Sequence, residues 1–366
     1  MSHAVLTKRE RVLRAARFEE TDRVPLYDIL QNDAIIEHYA APLLNGARLD
    51  AANGARATRY AIGRTLDMTR MPDGPAAPGR VRQDNGMLVQ IEPWTSWIIE
   101  RPFHDEPTML EWVKSQVLHA QQAQFGPDYQ SRFFDWMDAV AAETAAADPT
   151  GRGDPVVQVI ESGVGLTEIY HTLGWDYFAT LMYDYPTLLD EWLEARHQAE
   201  LRRVACIAGP QRIPIALTYD DIAYKNTTLI SPRWLRAHWQ PRLSRLVAAW
   251  HARGALCLFH SDGCLWPVLD DLVSAGIDGL NPLEVIAGMT VPAVRARYPR
   301  LFLTGGIDVS QLLPLGEPEE VRAACRQAIA DAGGRGYLMG SSTELHWDVK
   351  LENAIAMFET AWEMAA

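Results

Sequence analysis

Three side chains able to bind a metal or move a proton fall within five positions of one another, His260, Asp262 and Cys264. They follow an uncharged apolar run, residues 255–259, that reads as a strand buried on both faces. Imidazole, carboxylate and thiolate form a donor set that zinc accepts, but no CxxC or HExxH spacing accompanies them. Two readings of His260 stay open: a metal ligand, or a core histidine bonded to Asp262 or a neighbouring strand end. Cys264 is read at the start of a helix over 264–275, where the helix dipole lowers a thiol pKa, or else as a small buried residue.

Polar groups recur after the other apolar runs: Asp28, Glu161, Tyr219 with Asp220 and Asp221, Asn281 with Glu284, Asp308, and Ser341 with His346. Each has a local alternative. Asp28 and Asp308 could cap the helices that follow them, and Asp221 could hold Lys225 or a loop amide. The functional reading rests on convergence, because in a parallel barrel all such positions face one mouth. Gly305-Gly306 is a weak phosphate-loop signal, and no GxGxxG or Walker pattern is present.

The elements that must position these groups alternate. Strands are expected to start near residues 23, 66, 155, 212, 255, 277, 301 and 336, with helices between them. Eight strand–helix repeats favour a closed (β/α)8 TIM barrel, an α/β fold, over an open sheet. Thr7 with Glu10 forms a capping box for an N-terminal amphipathic helix over 7–18, and Ser231-Pro232 opens another helix. Residues 80–101 alternate about Asn85-Gly86, a strong hairpin signal. We therefore expect one domain over 1–366, with 72–150 as an inserted hairpin and helical excursion covering the mouth or flank. Asn281 and Glu284 are placed beyond the end of a strand over 277–280, and Gly305-Gly306 beyond one over 301–304.

Composition narrows the function. A net charge of −13 argues against a nucleic-acid surface. The four cysteines show no paired framework and no signal-like N-terminus is evident, which together imply a reducing cytoplasm. No apolar run approaches the roughly 20 residues of a membrane span.

The chain resembles the uroporphyrinogen decarboxylase superfamily, which holds heme-pathway decarboxylases and cobalamin-dependent methyltransferases. The resemblance is carried by Lys8-Arg9-Glu10-Arg11-Val12-Leu13-Arg14-Ala15-Ala16, Asp22-Arg23-Val24-Pro25, Asp220-Asp221, His260-Ser261-Asp262-Gly263, residues 276–284, Gly305-Gly306-Ile307-Asp308 and Leu351-Glu352-Asn353. It implies the barrel. It also exposes departures. True uroporphyrinogen decarboxylases carry arginines after the first strand for the substrate carboxylates, whereas residues 27–33 contain none and the site offers acids. The methyltransferase branch binds zinc through His-x-Cys and a distant cysteine; here Asp262 replaces the first cysteine and Ser341-Ser342-Thr343 stands near the second. A harder shell from His260, Asp262 and Glu161 or Glu284 suits activation of an oxygen or nitrogen leaving group.

Three functions follow as expectations. The first is a methyltransferase acting on a small methylated donor, with zinc or another divalent metal. Its corrinoid comes from a partner protein, because the chain shows no Asp-x-His-x-x-Gly motif. The second is a decarboxylase of a smaller acid, with Asp28 or Asp221 stabilising a protonated intermediate. The third is a non-catalytic ligand-binding barrel. Asp28, Asp221, His260 and His346 are assigned catalytic roles, and Tyr27, Tyr219, Asn281, Asp308 and Ser341 substrate contacts. A homodimer is left open; nucleic-acid and membrane partners are not expected.

Overall fold

The computed structural model describes residues 5–363. Eight parallel strands close a ring. The first, around residues 24–28, bridges the second at Tyr27–Met68 and the last at Leu26–Met339. The second, Met68–Thr69, pairs with the third at Val157 and Gln158. The third is interrupted at Val159 and resumes as Ile160–Gly163. From there Ile215–Tyr219, Leu256–His260, Gly279–Leu283, Phe302–Ile307 and Tyr337–Ser341 follow in sequence order. All eight expected strands are present, and the fold is a (β/α)8 barrel. Gly340 makes the closure feasible, since a Cβ there would overlap the Tyr27 carbonyl.

Successive side chains alternate across each strand. One set fills the barrel: Tyr27, Met68, Val157, Val159, Ile215, Leu217, Leu258, Phe302 and Leu338. Val12, Ala15 and Ala16 of helix Lys8–Ala16 pack against this interior cluster, so the N-terminal helix plugs the barrel's lower end. Its expected capping box is formed by Thr7 and Glu10. The alternate set packs outward against the helix ring.

Asp67, just before the second strand, ties this lower end together. Its fully buried carboxylate meets Arg11 and Arg23, each at 2.7 Å, and accepts the Leu26 amide at 2.9 Å. Burial opposes the charge, but the two guanidiniums outweigh it and hold the carboxyl below its ordinary pKa. Arg245 likewise holds Glu194 down to about 2. A carboxylate with a depressed folded pKa stabilises the protein above its unfolded pKa and loses that contribution as pH falls. Stability is therefore expected to decline from about pH 4 downward. Asp67→Ala, which strands two buried guanidiniums, is expected to cost about 3–5 kcal/mol at pH 7 and to flatten part of the acid limb. Urea unfolding across pH checks both; an unchanged midpoint at pH 7 refutes the assignment.

Between the second and third strands the chain makes its excursion. Gly79–Arg82, Leu88–Ile91 and Ser96–Glu100 form an antiparallel sheet, followed by helices Glu106–Gln122 and Pro127–Ala146. The Asn85-Gly86 turn is where the hairpin signal put it, with Asn85 Oδ1 accepting the Met87 amide at 3.0 Å.

Several boundaries differ from expectation. Helix Leu269–Ser274 starts five residues past Cys264, so this cysteine has no helix start beside it. Asn281 lies inside its strand rather than beyond it. Gly305 and Gly306 are likewise within a strand; Gly305 has φ +91°, and a Cβ there would sit 2.9 Å from the Ser341 carbonyl. They serve close strand packing and not a phosphate loop. No helix among the described residues is long and apolar enough to cross a membrane.

Candidate active site

The site forms where inward-facing positions reach the C-terminal end of the barrel. His260 ends the fifth strand, in register with Tyr219 on one side and Asn281 on the other. Asn281 donates through Nδ2 to Thr304 Oγ1 at 2.6 Å, which turns its Oδ1 to His260 Nδ1, also at 2.6 Å. Nδ1 therefore carries the ring proton, and Nε2 presents its lone pair to the mouth. Burial, with Arg70 close by, keeps the imidazole neutral by holding its pKa well below the usual value.

Facing Nε2 are Asp221, 3.7 Å away, and Asp262. One ligand atom from each of Asp221, His260 and Asp262 lies within 4.8 Å of the others. Burial raises the Asp221 carboxyl. Burial, then the neighbouring Asp221, Glu344 and Glu284, pushes Asp262 up to about 8. Asp262 Oδ1 is buried with no hydrogen-bond partner among the described residues. A buried, unpaired carboxyl oxygen beside an imidazole lone pair is an environment a cation relieves.

The mouth also holds a cation that the sequence reading missed. Arg70 lies one position past the second strand, two residues beyond the inward-facing Met68. Its Nη1 is 3.0 Å from Glu161 and its Nη2 is 3.4 Å from His260 Nε2. Its Nε is buried without a partner among the described residues, as is the Tyr27 hydroxyl. Residues 27–33 contain no arginine, but Arg70 adds a cation to the acids that were expected here. Alternation from Met68 would have pointed Arg70 inward had the strand itself been better marked. Glu344 was also missed: it lies in the loop after the last strand, and its charge raises Asp28, Asp221 and Asp262.

The remaining candidates divide. Asp28 accepts the Ser341 amide at 2.7 Å and the Ser341 hydroxyl at 2.8 Å, joining the first strand to the last. Burial pushes its carboxyl up to about 7 despite those donors. Glu284 accepts the Gly263 amide at 2.6 Å and so braces the loop bearing Asp262. Glu161 is committed to Arg70. Neither acid belongs to the three-ligand group, which takes Asp221 in their place. Tyr219 spends its hydroxyl on Glu168 at 2.8 Å. It lines, with Glu161, Arg196 and Arg203, a cleft of about 390 Å³ beside the barrel. Asp220 is structural, accepting the Val164 and Thr167 amides and the Trp239 indole. Asp308 accepts the Ser310, Gln311 and Leu312 amides of its own loop, ahead of the short helix Leu312–Leu315, whose N-cap position is Gln311. His346 lies outside the three-ligand group. Its Nε2 is 3.2 Å from the Val309 carbonyl, and its Nδ1 accepts the Asp348 amide at 3.2 Å, so both ring nitrogens are spent on backbone.

Comparison with known proteins adds the lineage. The profile of the uroporphyrinogen decarboxylase (URO-D) family matches residues 170–364, more than half of the chain. The chain belongs to the URO-D family. The matched span carries Asp221, His260, Asp262, Asn281 and Glu284, while Asp28 and Arg70 lie before it. Among solved structures, this URO-D chain is similar to a methyltransferase from Methanosarcina mazei. The two are 17% identical, with 98% of this chain and 99% of that chain covered and a TM-score of 0.68. A sugar phosphate isomerase/epimerase from Parabacteroides distasonis aligns at 11% identity over 96% of this chain and 99% of its own, with a TM-score of only 0.35. No curated protein matches.

Proposed function

We propose that this URO-D family member is a metal-assisted methyltransferase, acting on a small methylated donor and passing the methyl group to a corrinoid carried by a separate partner protein. One observation carries the metal: Asp221, His260 Nε2 and Asp262 converge within 4.8 Å, with Asp262 Oδ1 buried and unpartnered among the described residues. One nitrogen and two carboxylates make a harder donor set than thiolates, suited to zinc, cobalt or manganese. A divalent ion held there would supply Lewis acidity toward a donor's oxygen or nitrogen. The protein's own part is positioning. Asn281 fixes the His260 tautomer, Glu284 holds the Asp262 loop, and Glu161 anchors Arg70. The reaction class is taken from the Methanosarcina mazei neighbour's name, and the partner from the lack of a cobalamin motif in this chain.

The test supplies cob(I)alamin and a panel of methylated oxygen and nitrogen compounds, and follows methylcobalamin by absorbance. Metal-dependent formation with at least one donor is expected. No formation from any donor by protein that has taken up metal refutes the reading.

Arg70 favours a second reading, decarboxylation of a smaller acid, because a buried guanidinium at the mouth can bind a carboxylate. Uroporphyrinogen itself is not expected to react. One arginine, already paired with Glu161, cannot neutralise its eight carboxylates. Coproporphyrinogen appearing at about 1 per second or faster would show otherwise.

A further inference from the structure

Apart from the His260 cluster, a recess of about 490 Å³ opens at the barrel rim. Asp33 reaches it from the chain just past the first strand, Trp347 from the loop after the last, and Glu92, Pro93 and Trp94 from the excursion. Trp94 donates its indole N–H to Asp33 Oδ1 at 2.7 Å, which fixes that ring. Trp347 is 58% exposed, a large indole left facing solvent. Glu92 accepts from Gln90 Nε2 at 3.1 Å, so each of the two carboxylates keeps a second oxygen. Among the described residues, no lysine or arginine lines it.

Two indoles with two carboxylates and no basic group set a specific demand. A metal ion would gain nothing from the indole walls. An anion would be repelled. A neutral apolar ligand would cover the carboxylates without satisfying them. A cation carrying its charge on methyl groups suits all four, because indole faces attract such cations and the acids add long-range attraction. We propose that this recess binds an organic cation of the quaternary ammonium class. This binding depends on neither metal nor corrinoid, and not on the methyl-transfer reading.

The experiment measures binding to the full chain by calorimetry and tryptophan fluorescence, with tetramethylammonium, choline and the neutral isostere 3,3-dimethylbutanol. Both cations are expected to bind, with the isostere about tenfold weaker or worse. Trp347→Ala should weaken choline by about three- to thirtyfold, with Trp347→Phe recovering much of the loss. Glu92→Gln should weaken both cations and leave the isostere unchanged. Trp347 is exposed, so its replacement should leave the fold intact, and circular dichroism verifies that. Equal binding of cation and isostere overturns the proposal, as does undiminished binding by Trp347→Ala. Cation binding lost in Asp262→Asn but kept in Trp347→Ala would place the ligand in the mouth and overturn it too. Failure of methyl transfer alone leaves these binding results standing.

Discussion

His260→Ala is expected to abolish uptake of zinc, cobalt or manganese while leaving the barrel folded. The ring contributes the only nitrogen of the three-ligand group, and its Nε2 lone pair is kept available by the Asn281 bond at Nδ1. Changing the orienting partner of a metal-binding histidine typically costs 10- to 100-fold in affinity, so losing the ligand itself should cost at least about 100-fold. Asn281→Ala provides the graded case, an intermediate loss with no ligand removed. His260→Ala orphans one buried group, Asn281 Oδ1, and Asn281→Ala orphans two, His260 Nδ1 and Thr304 Oγ1, at about 1–3 kcal/mol each. Elemental analysis of untagged protein, calorimetry and thermal unfolding separate the effects. If His260 is structural only, stability falls and metal content does not change. Wild-type protein that binds none of the three metals ends the metal reading and brings decarboxylation forward.

Arg70→Met is expected to act in the opposite direction on metal and to destabilise the metal-free protein. The His260 lone pair can meet Arg70 Nη2, 3.4 Å away, or a metal, but not both. Two positive charges about 5 Å apart would also repel by several kcal/mol at the effective dielectric of a protein site. Metal entry therefore requires the guanidinium to withdraw toward Glu161. Deleting it should tighten metal binding by about tenfold or more. Without metal, the same change takes the resident cation from the part-exposed Glu161 and from Asp221, at a cost of about 1 kcal/mol. The variant's melting temperature should thus respond to added zinc far more than the wild type's. Unchanged or weaker metal binding in Arg70→Met would show that Arg70 does not compete for the site. A large rise in KM for an acidic substrate would instead assign Arg70 to holding a substrate carboxylate.

Much of this protein was legible from sequence because its signals are local. Apolar runs such as residues 255–259 marked the barrel strands. Polar groups just past those runs marked Glu161 and His260 as strand-end candidates, and paired residues a few positions apart marked the helix cap at Thr7 and the turn at Asn85-Gly86. Hydrogen bonds of this kind close over two to four residues, so composition and spacing are enough to find them. The family motifs are equally local, and the match over residues 170–364 covers those from Asp220-Asp221 onward.

Only the closed barrel decided which charges meet. Arg70 and His260 are 190 positions apart, and the second strand is so short that nothing nearby announced an inward-facing arginine. Asp28 and Ser341 are joined across 313 positions by ring closure. His346 looked catalytic by type, but its loop turns both ring nitrogens onto backbone. Asp262 could be named as a candidate ligand from the sequence. That its buried oxygen lacks a partner among the described residues, and that Asp221 rather than Glu161 completes the group, depends on desolvation and on distances between strands. Those are properties of packing, and residue order alone does not carry them.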